Sequence, residues 1–208
     1  MTEQSLRKLR VRALAAVESD VVHHLRLGFR EAIWAEFGPR AQPPRRLTKP
    51  HLQRISLAVN GVRHVLPLWE RRFPGEELPF SALSAIDDLL KHSRPPAQSQ
   101  PIFDELWDRL LHLASEKPAS EVAVGFAAVQ ALSTAMYDEF FNAADLDLER
   151  NDTSDPESHD SAYYSGAAQA GGLPGGKKSN AERRLSFWRW WLNEGIDAAI
   201  NANFLQKP

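Results

Sequence analysis

The chain has 208 residues, enough for one large domain or two small ones, and its 43% hydrophobic and 25% charged residues exclude wholesale disorder. It has no cysteine, which excludes disulfides, thiolate metal sites, iron–sulfur clusters and cysteine nucleophiles together and suits a reducing compartment. The formal net charge of −2 conceals opposed regions: residues 138–160 hold nine acids against Arg150, net −8, whereas residues 1–54 are net +6 and residues 177–191 net +4.

Taken in chain order, helical periodicity dominates. The N-terminal stretch reads as an amphipathic surface helix; it lacks the apolar core and small-residue cleavage site of a secretory signal. Asp20 is the expected N-cap of a helix with Val21, Leu25, Phe29, Ile33 and Phe37 four residues apart, stopped by Gly38-Pro39. Thr48 caps the next, with Pro50 in its first turn and a stripe of Leu52, Ile55, Val59, Val62, Leu66, Trp69 and Phe73; Pro67 predicts a kink or break. Further helices are expected over Phe80–Leu90, Ile102–Leu113 and Ala119–Ala143. The small residues of the last (Ala123, Gly125, Ala127, Ala128, Ala131) allow close backbone approach and make it the expected central helix.

Residues 145–180 break the pattern, first acidic and then glycine-rich, and are expected as a mobile surface loop, with a short helix an option over Ser161–Gln169. Ser179 to Glu182 reads as a capping box for the final helix. The architecture expected is therefore all-α: one helical domain over residues 1–208, a multi-helix bundle with a long acidic and glycine-rich loop before its last helix. The longest uncharged run, Val122–Tyr137, is too short and polar to span a bilayer, so a soluble protein is expected.

Tests for chemistry return little. No histidine pair has the spacing that puts two ligands on one helical face. A calcium loop starting at Asp145 fails where Arg150 replaces the glycine and Pro156 the bidentate glutamate. Phosphate-loop, dinucleotide and nucleophile-elbow motifs are absent. No catalytic residue, metal ligand or cofactor is assigned. The doublets Arg45-Arg46, Arg71-Arg72 and Arg183-Arg184 raise nucleic-acid binding, but the −8 segment would repel a phosphate backbone. The run Phe187-Trp188-Arg189-Trp190-Trp191-Leu192 cannot turn all three tryptophans to one side; Trp188 and Trp191 share a face and Trp190 points away. Which indole is exposed is left open, and an exposed one would suit a binding hot spot.

Two stretches carry a family resemblance. Val65-Leu66-Pro67-Leu68-Trp69-Glu70, then Phe73-Pro74-Gly75-Glu76-Glu77 and Ala85-Ile86-Asp87-Asp88-Leu89-Leu90, resemble the early part of the Imm5-type immunity proteins of bacterial polymorphic toxin systems. Asp155-Pro156 through Asp160-Ser161, and Arg183-Arg184-Leu185-Ser186-Phe187-Trp188-Arg189-Trp190-Trp191-Leu192-Asn193-Glu194, resemble that family's close. The sequence departs from it at Asp197 and in the Gly171–Gly176 stretch.

The resemblance implies an all-helical cytoplasmic protein that binds and neutralises a cognate toxin, encoded next door, without catalysis. Asp145, Asp147, Glu149, Asp152, Asp155 and Asp160 are the expected electrostatic half of the toxin-binding surface, with Trp190 as a candidate anchor. A metal-assisted hydrolase built on the 145–160 carboxylates and a helical nucleic-acid-associated regulator are the alternatives.

Overall fold

The computed structural model describes residues 3–42, 47–92, 95–117, 119–152 and 159–202, and it is all-α. In chain order the helices are α1 (Glu3–Ser19), α2 (Leu27–Phe37), α3 (Lys49–Arg72), α4 (Leu78–His92), α5 (Pro96–Glu116), α6 (Val122–Tyr137), α7 (Ser161–Ala170), α8 (Ala181–Trp190) and α9 (Ile196–Ile200). A π-helical turn, Trp191–Gly195, joins the last two.

Helix α6 is central, as its small residues predict: it packs on α3, α4, α5 and α7. Gly125 is where the approach is tightest. A Cβ there would lie 2.5 Å from Leu110 and 3.1 Å from the Trp69 ring, so only glycine admits both neighbours. The α3 stripe is inside as expected, with Ile55, Val62 and Trp69 fully buried. The helix runs on through Pro67, and Thr48 Oγ1 caps it by accepting from the His51 amide. At the other end of the chain Phe187, Trp188 and Trp191 are fully buried, which resolves the tryptophan question for two of the three.

Several expected boundaries move. Asp20 does not open α2. Its carboxylate accepts from the Val22 and His24 amides at 3.0 and 3.1 Å, forming a turn in which His23 has φ +51° and Val21 is exposed. Helix α6 ends at Tyr137, six residues before the expected Ala143, because Asp138 leaves the helical region at φ +69°. The capping box does not form: Asn180, not Ser179, caps α8 by accepting from the Arg183 amide. The expected loop over 145–180 contains α7, the optional short helix, and it is no surface feature. Ser161, Tyr163, Ser165, Ala167 and Ala170 are buried, and α7 packs on α3, α6 and α8.

Candidate functional site

Five carboxylates are buried among the described residues: Glu31, Asp138, Glu139, Asp152 and Asp160. Burying a charge is tolerated only with a partner, so each is an accounting question. Arg30 of α2, fully buried, answers two of them. Its Nε donates to Asp160 at 2.7 Å, its Nη2 to Asp152, and its Nη1 to the Leu25 carbonyl at 2.7 Å. Burial works against the guanidinium charge, but Asp160 and Asp152 outweigh it and raise the Arg30 pKa. Asp152 also bonds His24 at 2.7 Å. Burial alone would raise the Asp152 carboxyl; Arg30, helped by His24, instead holds it far below the usual carboxylate range. Asp160 has a second task as the N-cap of α7, accepting from the Ala162 and Tyr163 amides at 2.7 and 3.0 Å.

Arg54 of α3 makes the matching arrangement at the C-terminal end of α2. Its Nε and Nη2 grip Asp138 at 2.6 and 2.7 Å, and its remaining protons go to the carbonyls of Trp34, Gly38 and Pro39. This bidentate grip offsets burial, holds the Asp138 carboxyl low and fixes the left-handed backbone that ends α6. Arg150 answers Glu31 at 2.8 Å.

Glu139 is different. No cation lies within ion-pair distance of it among the described residues. Oε1 accepts from the Thr134 hydroxyl at 2.8 Å, and Oε2 accepts nothing among the described residues. Burial first, and then the charge of Asp160, pushes its carboxyl up to about 8. Glu139 lines a cavity of about 140 Å³ together with Gln130, Ser133, Thr134, Phe140 and His159. Phe140 stands at the rim, 74% exposed, with the Arg40 guanidinium 4.9 Å from its ring centre.

The residues expected on the partner surface therefore divide. Asp145, Asp147 and Glu149 are exposed, and Glu149 pairs with Arg26. Asp152 and Asp160 correct the expectation: their carboxylates are buried and spent on Arg30, so they hold the fold together rather than face a partner. Asp155 lies outside the described residues, as does the Arg45-Arg46 doublet. Trp190 is half-buried and stacks on His64 at 3.9 Å. Arg184, read as half of a basic doublet, is buried and donates to the Val22 and Gly172 carbonyls.

The exposed acids are held on a defined backbone. The Gly28 amide donates to the Arg150 carbonyl at 3.0 Å, and a Cβ on Gly28 would lie 1.9 Å from the Asp147 carbonyl oxygen. The acidic segment thus lies directly on the first turn of α2, a contact only glycine permits. Tyr137, Phe140 and Leu146 are exposed on the same stretch, giving it an apolar component that charge counting overlooks.

Reading the sequence missed Arg30, Arg54 and Glu139. The available signal was position: Arg30 and Glu31 interrupt the apolar stretch Leu27–Phe37, and Arg54 directly precedes the stripe residue Ile55. Among the described residues, no group of three or more His, Asp or Glu side chains is placed to hold a metal ion, and no helix is long and apolar enough to cross a membrane.

Residues 11–198 fit the family model described as immunity protein Imm5. Among curated proteins none matches.

Proposed function

This chain belongs to the Imm5 immunity protein family, and from that membership we infer that it binds a cognate toxin domain and neutralises it by contact, without chemistry of its own. The observation that carries the reading is the extent of the family match, which takes in every helix from within α1 to within α9. The toxin is encoded beside this gene in a bacterium, and neutralisation takes place in the cytoplasm. The chain acts as one helical domain, supported by a single apolar core reaching from Leu6 to Ala199.

The contact surface is the exposed part of the acidic segment. Asp145, Asp147 and Glu149 supply long-range attraction to a basic partner, while Phe140, Tyr137 and Leu146 supply the apolar area that slows release. Trp190 is the secondary candidate, since its indole is only half-covered. The hydrolase alternative loses two of its carboxylates, because Asp152 and Asp160 are already committed to Arg30.

Two measurements test the reading. Co-expression with the neighbouring toxin gene should restore growth of cells that the toxin alone kills; unrestored growth overturns it. Asp145→Asn with Asp147→Asn and Glu149→Gln should slow association several-fold and flatten its salt dependence. An association rate equal to wild type at low and high salt moves the contact surface elsewhere, to Trp190 first.

A further inference from the structure

The buried acids follow a rule with one exception. Glu31, Asp138, Asp152 and Asp160 each have an arginine guanidinium within ion-pair distance. Glu139, nine-tenths buried, has a threonine hydroxyl on one oxygen and nothing among the described residues on the other. That carboxylate lines a cavity of about 140 Å³, many times the roughly 10–15 Å³ that one water requires. The rest of its polar lining is Gln130, Ser133, Thr134, His159 and the arginine-paired carboxylates Asp138 and Asp160; Gln130 and Ser133 offer further acceptors, and an exposed aromatic ring stands at its rim.

We propose that this cavity is the receptor for a guanidinium group of the partner: an arginine side chain of the toxin enters beside Phe140 and is bound by the free oxygen of Glu139. The proposal rests on the immunity reading and names the chemistry that the surface recognises. A guanidinium is preferred to an ammonium for two reasons. Its planar fork bridges a carboxylate and neighbouring oxygens at once, and its flat face packs on aromatic rings, as Arg40 already does on Phe140. The flanking acids Asp145 and Asp147 favour a cationic visitor on its way in.

Proton balance follows from the surroundings. The charged and titratable groups around Glu139 are Arg30 from α2, His51 and Arg54 from α3, Asp138 beside it in the chain, and His159 and Asp160 leading into α7. In the free protein the Glu139 carboxyl holds its proton well above the usual carboxylate range. When the guanidinium arrives, the O–H bond of that carboxyl breaks and the proton leaves to buffer, so the bound pair is carboxylate and cation. Binding should therefore release protons and tighten as pH rises toward the carboxyl's own pKa.

The full-length protein is titrated with Nα-acetyl-arginine amide and, separately, with Nα-acetyl-lysine amide, followed by NMR. The arginine probe should shift Ser133, Thr134, Glu139 and His159 signals together, bind several-fold more tightly than the lysine probe, and lose this effect in Glu139→Gln. That variant keeps the Thr134 bond and the fold; Phe140→Ala, at an exposed position, gives a second variant that should also weaken the probe. Scattered shifts, equal response to both probes, or undiminished response in Glu139→Gln would overturn the proposal. Binding to the neighbouring toxin separates the two readings. If wild type captures toxin, Glu139→Gln should bind about tenfold or more weakly and lose the rise of affinity with pH. Equal capture by both proteins removes the cavity proposal alone. No capture by wild type removes the immunity reading, and the arginine probe then judges the cavity by itself.

Discussion

The two halves of the acidic segment have nearly the same composition and opposite fates. Asp145, Asp147 and Glu149 stay in water, while Asp138, Asp152 and Asp160 are buried and gripped by arginines. The difference comes from partners 84 to 130 residues away along the chain, Arg54 and Arg30, which decide which carboxylates are drawn in. A run of like charge is thus not one functional unit. One half closes the fold, and the other stays at the surface.

The contrast should break first at Arg30. Arg30→Met strands Asp152 and Asp160 without a counter-charge and should cost about 3–5 kcal/mol in chemical denaturation. A midpoint unchanged from wild type would mean that the buried half carries no structural weight. Asp152→Asn comes next, with a cost of about 1–3 kcal/mol at neutral pH. Because the native Asp152 carboxyl is held below its unfolded value of about 3.9, its stabilisation is present above that pH and is lost as pH falls through the native value. Urea midpoints of wild type and Asp152→Asn should converge on acidification; a constant gap would refute the charge assignment.

Gly28→Ala probes the seam between the halves. The new Cβ meets the Asp147 carbonyl oxygen and the Leu148 Cα, both backbone, so the acidic segment must shift, at about 1–3 kcal/mol. Hydrogen exchange of the backbone amide at position 28, against that of Gly28 in the native protein, reads out the loss of the bond to the Arg150 carbonyl. Smallest is the exposed half: Asp145→Asn with Asp147→Asn should change stability by less than about 0.5 kcal/mol, since an asparagine at 147 can still accept from the Glu149 amide. A larger thermal shift would show that these residues also serve the fold.

What the sequence made legible was whatever depends on near neighbours. The α3 stripe from Leu52 to Trp69 and the small-residue face of α6 follow from spacing alone, and both landed in the core. The resemblance at Val65–Leu90 and Arg183–Glu194 led to the family that the match over residues 11–198 establishes. What was illegible depends on distant pairing. Nothing around Asp160 says that it caps a buried helix while holding Arg30, and nothing around Glu139 says that it lacks the arginine its neighbours have. The short turn at Asp20 was misread because the same side chain that caps a helix start also closes a turn.

The π-helical turn at Trp191–Gly195 bears on how this chain tolerates changes of length. Such a turn reaches from i to i+5 and so houses one residue more than an α-turn between the same neighbours. Elsewhere in a helix, removing one residue swings every later side chain by about 100° and tears its buried face away. Here the surplus residue is already present. Removing the exposed Glu194 would let the turn relax to α while Trp188 and Trp191 before it and Ile196 and Ala199 after it keep facing inward. The tryptophan helix thus holds a slack link, a place where the gene can lose a codon without losing the protein.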